Sequence, residues 1–226
     1  MSAHAVRRRP DTLFTDRLRN ATAESHKNAE ESSFVGELLS GALNESAYAD
    51  MLGQNYLIYE ALERRAAQLE SSDPVRRFHS AALVRTAALE ADLEFLTGPE
   101  WRSAVKELPA TTRYVERIEK AADEDPLLFV AHHYIRYLGD LSGGQIIRRA
   151  IGNAYGHTED GVRFYIFDEI PKPKPFKDDY RDALDGLELS PADEQRFIAE
   201  VNDIFGLNRD VFDDLAAGLD GYRVRS

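Results

Sequence analysis

The sequence contains no cysteine, which excludes disulfide bonds, thiolate catalysis and cysteine-ligated metal or iron–sulfur sites. It also has no stretch approaching the ~20 apolar residues that a membrane-spanning helix needs. The basic N-terminus is not followed by an apolar run, so neither a secretory nor a twin-arginine signal is complete. We therefore expect a soluble, cytoplasmic protein without a membrane anchor.

Positive charge is in deficit, because 28 lysines and arginines face 40 aspartates and glutamates, giving a net charge of −12. On average this charge repels a nucleic-acid backbone or an anionic membrane, so we expect no nucleic-acid partner. Any anionic ligand therefore needs a local patch of basic residues.

No linker rich in proline, glycine or serine divides the 226 residues, and the sequence shows neither a repeat nor a low-complexity segment. The chain is 43% hydrophobic, which is ample for one buried core. Most segments repeat apolar residues at helical spacing; only residues 162–167 have strand propensity, and they lack a partner strand. We predict a single all-α domain over residues 11–219, a disordered tail at 1–10 and a C-terminal tail at 220–226.

Residues 126–156 are predicted to form one long helix that is weakened in its middle. Gly139, Ser142, Gly143 and Gly144 fall within six positions of one another, around Asp140. Each glycine costs a helix interior roughly 1 kcal/mol relative to alanine, so this cluster needs a reason. One reason is a kink or a close helix crossing; the other is a surface without Cβ atoms, against which a flat, bulky ligand can lie.

The run from Ala131 to Gln145, AHHYIRYLGDLSGGQ, closely resembles the distal-helix signature of the haem oxygenases. Other motifs similar to this family extend from about residue 13 to about residue 219. The resemblance implies a multi-helix domain that holds haem b between a proximal N-terminal helix and a kinked distal helix. The four residues of the weakened turn would contact the haem.

The same resemblance implies that haem is both cofactor and substrate. Haem oxygenases cleave haem at a meso carbon, usually α, and release biliverdin, carbon monoxide and ferrous iron. They use O2 and electrons from a ferredoxin or a flavoprotein reductase. We expect the chain to act as a monomer that receives electrons from one of these two kinds of donor.

His26 is the candidate axial ligand. On residues alone, a histidine on an apolar helical stripe is more often a hydrogen-bonded core residue than a ligand. Glu30 lies one turn further on and can hold the second ring nitrogen, directly or through water. The segment AESHKNAE, residues 23–30, also resembles the segment that carries the axial haem ligand in the family. The resemblance therefore implies that His26 binds the haem iron.

The resemblance assigns a second group of residues to the oxygen-binding side of the haem. Asp140, Tyr59, Tyr114, Arg136 and Asn208 would order waters that supply protons there. The residues alone allow a simpler interpretation. Asp140 and Arg136 would then form a solvated ion pair worth ~0.3–0.5 kcal/mol, and the tyrosines would belong to the core.

The haem propionates need cations in this acidic chain. Lys177 and Arg181 match the propionate-binding pair of the family, and Arg19 matches a further basic position where the family member compared has lysine. Tyr134 can donate its hydroxyl to the same group. Without the resemblance, these cations would be ordinary surface charges.

Two alternative functions are considered. A haem carrier or store would have the same pocket without turnover, but two strong axial ligands or a distal side chain would then be expected. A helical di-iron enzyme needs Glu-x-x-His pairs, and no histidine of the sequence follows a glutamate by three positions. Phe205 and Phe212 would line the haem pocket or pack in the core.

Overall fold

The structure, a computed structural model, describes residues 13–224 and contains eleven α-helices and three 3₁₀ turns over that range. The described residues form no β-strand, and the predicted all-α fold is confirmed. The helices are α1 (Phe14–Glu30), α2 (Ser33–Leu39), α3 (Glu45–Gln68), α4 (Thr86–Thr97), α5 (Trp101–Ala104), α6 (Pro109–Glu124), α7 (Pro126–Asp140), α8 (Gly144–Tyr155), α9 (Pro173–Asp185), α10 (Pro191–Ala216) and α11 (Leu219–Tyr222). The 3₁₀ turns are Val75–Arg77, Ala81–Leu83 and Arg163–Tyr165.

Side-chain caps define several helix starts. Oδ1 of Asn44 accepts a hydrogen bond from the Ala47 backbone N–H at 3.2 Å, and Oγ of Ser190 accepts one from Asp193 at 3.2 Å. Asparagine and serine are residue types that favour the N-cap position, so both helix starts follow from local sequence. The sequence also predicts Asp11 or Thr12 as the cap of the first helix, and both positions lie outside the described residues.

The prediction of one continuous helix over residues 126–156 is wrong. The helix ends at Asp140, a three-residue turn follows, and α8 begins at Gly144. The backbone N–H of Ser142 bonds to the Gly139 carbonyl at 3.0 Å, which tightens the last turn of α7. Leu141 in the turn is buried, so core packing favours the break that the glycines permit.

The apolar segment 162–167, which has strand propensity but no partner strand, is an ordered loop with one 3₁₀ turn. Asp92 of α4 holds it by accepting backbone hydrogen bonds from Arg163 at 2.9 Å and Phe164 at 2.8 Å. Burial raises the pKa of Asp92 to about 6 in spite of these two bonds and a third from Gly161. The loop thereby brings Tyr165 against the start of α8.

Residues beyond 219, predicted to be a tail, pack on the domain as far as residue 224. Leu219 is buried, and Leu43 and Arg223 form an isolated antiparallel bridge. The guanidinium of Arg223 also donates to both carboxylate oxygens of Glu37, at 2.6 and 2.7 Å.

Helix α10 packs against α1, α2, α6 and α7, while α3 packs against α4 and α6. Both the N-terminal helix and the glycine-containing end of α7 are therefore positioned by the same long helix. Within residues 13–224, no helix combines the length and apolar character required to cross a membrane.

Candidate functional site

Helix α1 positions His26 at the edge of the core. Leu18, Thr22 and Ala29 are buried, but the His26 side chain is 55% exposed, so its predicted place on the inner stripe needs correction. Its ring packs edge-to-face on Phe205 of α10, with the ring centroids 5.1 Å apart. One aromatic contact therefore orients the imidazole while the ring stays accessible.

Glu30 does not hold His26 by a direct hydrogen bond. Its Oε1 lies 3.6 Å from Nε2 of His26, beyond hydrogen-bond distance, and the Glu30 side chain is 65% exposed. Phe205 is half-buried and contacts His26, whereas Phe212 packs, half-buried, on the core. The structure thus brings Phe205 to the candidate site through a specific contact.

Arg136 is fixed between two other helices. Its Nη1 donates to Oδ1 of Asn208 on α10 at 2.9 Å, and its Nη2 donates to Oδ1 of Asn55 on α3 at 2.7 Å. The sequence analysis did not identify Asn55 as a site residue. The sequence feature that could have identified Asn55 is its position. It is an amide on the inner stripe of α3, one turn before Tyr59, and the other residues of that stripe are mostly apolar.

Asp140 lies next to this network and is bonded to a tyrosine. The Tyr59 hydroxyl donates to Oδ2 of Asp140, and the Arg136 guanidinium lies over the Tyr59 ring, 4.9 Å from its centroid. Burial raises the pKa of Asp140, while the Arg136 charge and the Tyr59 hydrogen bond oppose that rise. The interpretation of Asp140 and Arg136 as a solvated surface pair is wrong, because Arg136 is hydrogen-bonded to the two amides.

Three buried polar atoms near this network have no hydrogen-bond partner within the described part of the chain: the hydroxyls of Tyr114 and Tyr165 and Nε of Arg136. Burial raises the pKa of Tyr114 to about 12, although Arg136 and Asn208 act in the opposite direction. Burial also raises the pKa of Tyr165. Both phenols are therefore neutral hydrogen-bond donors, and groups of this kind usually require ordered water or a ligand.

The glycines around the break face different surroundings. A Cβ atom built at Gly139 would meet no atom within 4 Å, and one at Gly143 would lie 3.6 Å from the Gly139 carbonyl oxygen. A Cβ at Gly144 would lie 2.9 Å from Cδ1 of Tyr165. Gly139 and Gly143 therefore form a bare surface, whereas Gly144 permits close packing inside the protein. The sequence pattern alone did not separate these roles.

The predicted basic residues come from two helices. Lys177 and Arg181 lie on α9, where Nζ of Lys177 donates to Oγ of Ser142 at 2.7 Å and Arg181 pairs with Asp178 at 3.2 Å. Arg19 on α1 pairs with Asp16 at 3.0 Å and is 74% exposed.

Tyr134 on α7 lies near two of these cations, Arg19 and Arg181. Burial raises the pKa of Tyr134, whereas the charges of Arg181 and Arg19 lower it. Burial likewise lowers the pKa of Lys177, and the Arg181 charge lowers it further. Arg19 of α1 and Arg181 of α9 therefore both act electrostatically on one phenol of α7.

Comparison with known proteins identifies the family. The family model described as "Heme oxygenase" matches residues 12–214. The chain is 37% identical over 206 residues to "Heme oxygenase 1" of Synechocystis sp., covering 91% of this chain and 86% of that protein. The chain belongs to the haem oxygenase family.

Solved structures of haem oxygenases agree with this assignment. Heme oxygenase-1 from Synechocystis, crystallised in complex with heme, superposes with a TM-score of 0.88 at 36% identity, covering 93% of this chain and 95% of that one. Heme oxygenase from Leptospira interrogans gives a TM-score of 0.84 at 36% identity, covering 89% of this chain and 98% of that one. The predicted family, fold and haem-degrading oxygenase function are confirmed.

Proposed function

We propose that this haem oxygenase takes haem b as both cofactor and substrate and opens it at a meso carbon, α, to give biliverdin, carbon monoxide and ferrous iron. O2 and electrons from a ferredoxin or a flavoprotein reductase are the co-substrates. The protein acts as a monomer in the cytoplasm. The observation that carries the proposal is the bare surface at Gly139 and Gly143, which adjoins the partly buried Tyr59–Asp140 pair.

Four features of the chain fit this substrate. The glycine surface admits a flat macrocycle, and the accessible ring of His26 offers a nitrogen ligand for its iron. Cations near Tyr134 suit the two carboxylates that haem carries. The unpartnered phenols of Tyr114 and Tyr165 are donors available to water beside the Asp140 network.

In this proposal, His26 would supply the nitrogen ligand of the haem iron. Imidazole nitrogen is a common ligand of haem iron, and the contact with Phe205 restricts the orientation of the ring. Because Glu30 lies 3.6 Å away, its support of the imidazole would pass through water or a small movement of its side chain. When bound, haem supplies the redox-active iron and the meso carbon that is oxidised.

Asp140 donates and accepts protons on the side of the haem opposite His26. Its Oδ2 accepts the Tyr59 hydroxyl, and its raised pKa makes proton exchange with nearby water easier than for an exposed aspartate. Arg136 cannot act as an acid at neutral pH, and Asn208 and Asn55 hold its guanidinium. The Asp140 side of the proposed haem site would therefore supply protons through a carboxyl group and water. It lacks the positioned histidine of a peroxidase, and this lack favours oxygenation of the macrocycle.

Four residues bind the propionates in the proposal: Lys177, Arg181, Tyr134 and Arg19. The lysine that now bonds to Ser142 can transfer this hydrogen bond to a carboxylate, which offers it a full negative charge. Arg19 is exposed, and the ion pair that it forms within residues 13–224 is with Asp16 on its own helix. Its guanidinium can bind a carboxylate through two hydrogen bonds.

The electron donor docks at this same basic edge. The proposal follows from charge: the chain as a whole is acidic, and an acidic ferredoxin would be attracted only by a local group of cations. The rate of electron transfer should fall as salt concentration rises, because salt screens exposed charges. A rate that does not depend on salt would remove electrostatics from this step.

One experiment tests the proposed function. Hemin is added to the purified chain, followed by a ferredoxin, its reductase, NADPH and O2, and the Soret band is recorded while the products are separated by chromatography. We expect the band to disappear as biliverdin and carbon monoxide form, and to persist under nitrogen. A persistent band with no bile pigment in O2 would indicate a haem carrier instead.

A further inference from the structure

Helix α9 contacts both α1 and the turn that follows α7. At its C-terminal end, Asp185 accepts hydrogen bonds from the backbone N–H and the hydroxyl of Thr15 on α1, at 2.8 and 2.9 Å. Near its N-terminal end, Lys177 reaches Ser142 in the turn after α7. The helix that carries two propionate-binding residues is thus anchored at both ends, to different elements.

The middle of α9 has a third anchor, between Tyr180 and His133 of α7. The Tyr180 hydroxyl lies 2.8 Å from Nδ1 of His133, and both residues are buried. The two rings are nearly parallel, with an interplanar angle of 17° and centroids 5.9 Å apart. The ring of Phe78 also packs on Tyr180, with the two ring centroids 4.8 Å apart.

The direction of this hydrogen bond follows from the environment of both groups. Burial lowers the pKa of His133 to about 3, with a smaller contribution from His79, so its ring is neutral at physiological pH. Burial raises the pKa of Tyr180 well above its ordinary value, so the phenol keeps its proton. With both groups neutral, we assign the phenol of Tyr180 as the donor and Nδ1 of His133 as the acceptor, which makes the ring the Nε2–H tautomer.

We propose that the Tyr180–His133 hydrogen bond sets the rotation of α9 and thereby the position of Lys177 and Arg181, so that it determines how haem is seated. This inference rests on the proposed function. Tyr180 lies three residues after Lys177 and one before Arg181, so any rotation of the helix that moves the phenol also moves both cations. His133 and Tyr180 are positioning residues, because neither is proposed to touch the haem.

The orientation of haem in the site controls which biliverdin isomer forms, as well as the affinity for haem. The four meso carbons of haem differ in their position relative to the propionates, so cations that hold the propionates decide which carbon faces Asp140 and the glycine surface. Aromatic packing around Tyr180 resists displacement but has little directional preference compared with a hydrogen bond. Loss of the bond should therefore loosen the orientation of α9 without unfolding it.

Three variants of the full chain, each loaded with hemin, separate the hydrogen bond from packing. Tyr180→Phe keeps the ring and removes the donor, His133→Leu removes the acceptor, and His133→Asn retains an acceptor close to the position of Nδ1. The matched control is Tyr48→Phe, since Tyr48 is also buried and its hydroxyl donates to the Gly161 carbonyl at 2.8 Å, outside α7 and α9.

Two properties are measured: the rate of haem transfer to excess apomyoglobin and the distribution of biliverdin isomers. We expect Tyr180→Phe and His133→Leu to release haem about three- to tenfold faster, the factor expected for one neutral hydrogen bond, and to give mixed isomers. His133→Asn should remain near the wild type in both properties. Tyr48→Phe should lower the unfolding midpoint without altering either property.

Two results would overturn the inference: wild-type haem release and a single isomer in Tyr180→Phe, or equal defects in His133→Asn and His133→Leu, which would indicate packing alone. Lys177→Ala and Arg181→Ala distinguish this failure from failure of the proposed function. If they release haem faster while Tyr180→Phe does not, only the inference fails. If they also release haem at the wild-type rate, the propionate assignment fails, and the inference fails with it.

Discussion

The hydroxyl of Tyr59 on α3 donates a hydrogen bond to the carboxylate of Asp140 at the end of α7, across 81 positions of sequence. This contact places a partly buried carboxyl group directly beside the bare glycine surface. Burial raises the pKa of Asp140, and the neighbouring Arg136 charge limits that rise. The pair therefore forms the acid–base part of the proposed oxygenase site.

Asp140→Ala should retain haem but produce at least about tenfold less biliverdin, because a positioned acid–base group typically contributes a factor of 10² to 10⁴. The remaining turnover should give an oxidised, peroxidase-like product. Bile pigment and haem content are measured together. Asp210→Ala, which removes a carboxylate paired with Arg113 at the surface, is the control. An unchanged biliverdin yield in Asp140→Ala would leave Asp140 with a structural role only.

Arg136→Met should raise the pKa of Asp140 further. The Arg136 charge stabilises the ionised carboxylate, so its removal leaves burial less opposed. Titration of isotope-labelled aspartate carboxyls by NMR measures this pKa directly. Arg136→Lys keeps a positive charge and should give a smaller rise. A pKa of Asp140 that is unchanged or lower in Arg136→Met would contradict the electrostatic account.

Gly139→Ala and Gly144→Ala should have opposite effects on the protein. A Cβ at Gly139 meets no atom, so alanine should stabilise α7 by up to about 1 kcal/mol while weakening haem binding. A Cβ at Gly144 meets Tyr165 at 2.9 Å, so alanine should destabilise the fold by about 1–3 kcal/mol. Urea unfolding and hemin titration of both variants measure these effects. Full haem affinity in Gly139→Ala would argue against a haem-contacting surface there.

His133 should contribute to acid sensitivity. Its pKa of about 3 in the folded state lies below the ordinary value, so between pH 6.5 and 3 the unfolded chain takes up a proton that the folded chain does not. Stability from this residue is complete above pH 6.5 and decreases as the pH falls. From pH 7.5 to pH 5 the wild type should lose roughly 2 kcal/mol more free energy of unfolding than His133→Asn.

Asp92 acts in the opposite direction, since its pKa of about 6 is raised and the folded state gains a proton first as the pH falls. This contribution is common to the wild type and His133→Asn, so it cancels in their difference. Urea unfolding at the two pH values provides the comparison. Equal losses in both proteins would show that His133 takes up its proton without unfolding.

Sequence reasoning predicted the helical fold because apolar periodicity and side-chain caps are local signals. It also named Asp140, Arg136 and Asn208, through a motif and a family resemblance. Asn55 and Tyr165 were missed, because each reaches the site only through tertiary packing: Asn55 by its bond to Arg136, and Tyr165 by a loop that Asp92 holds.

The break after Asp140 was predicted only as a weakness within one helix. Helix propensity reports the cost of glycine, but it does not indicate whether buried residues such as Leu141 favour a kink or a complete turn. The exposure of His26 was missed for a similar reason. Helical spacing placed His26 on the inner stripe of α1. Spacing does not show how far along that stripe the neighbouring helices cover α1, and this coverage determines whether His26 is buried.

The central claim is that haem is bound by one imidazole, from His26, with its second axial position open above Gly139 and Gly143. Electron paramagnetic resonance of the ferrous nitric oxide complex tests it directly. We predict a six-coordinate spectrum with hyperfine splitting from one histidine nitrogen, which becomes five-coordinate in His26→Ala. A spectrum without histidine splitting in the wild type, or a second protein ligand that prevents nitric oxide from binding, would contradict the account.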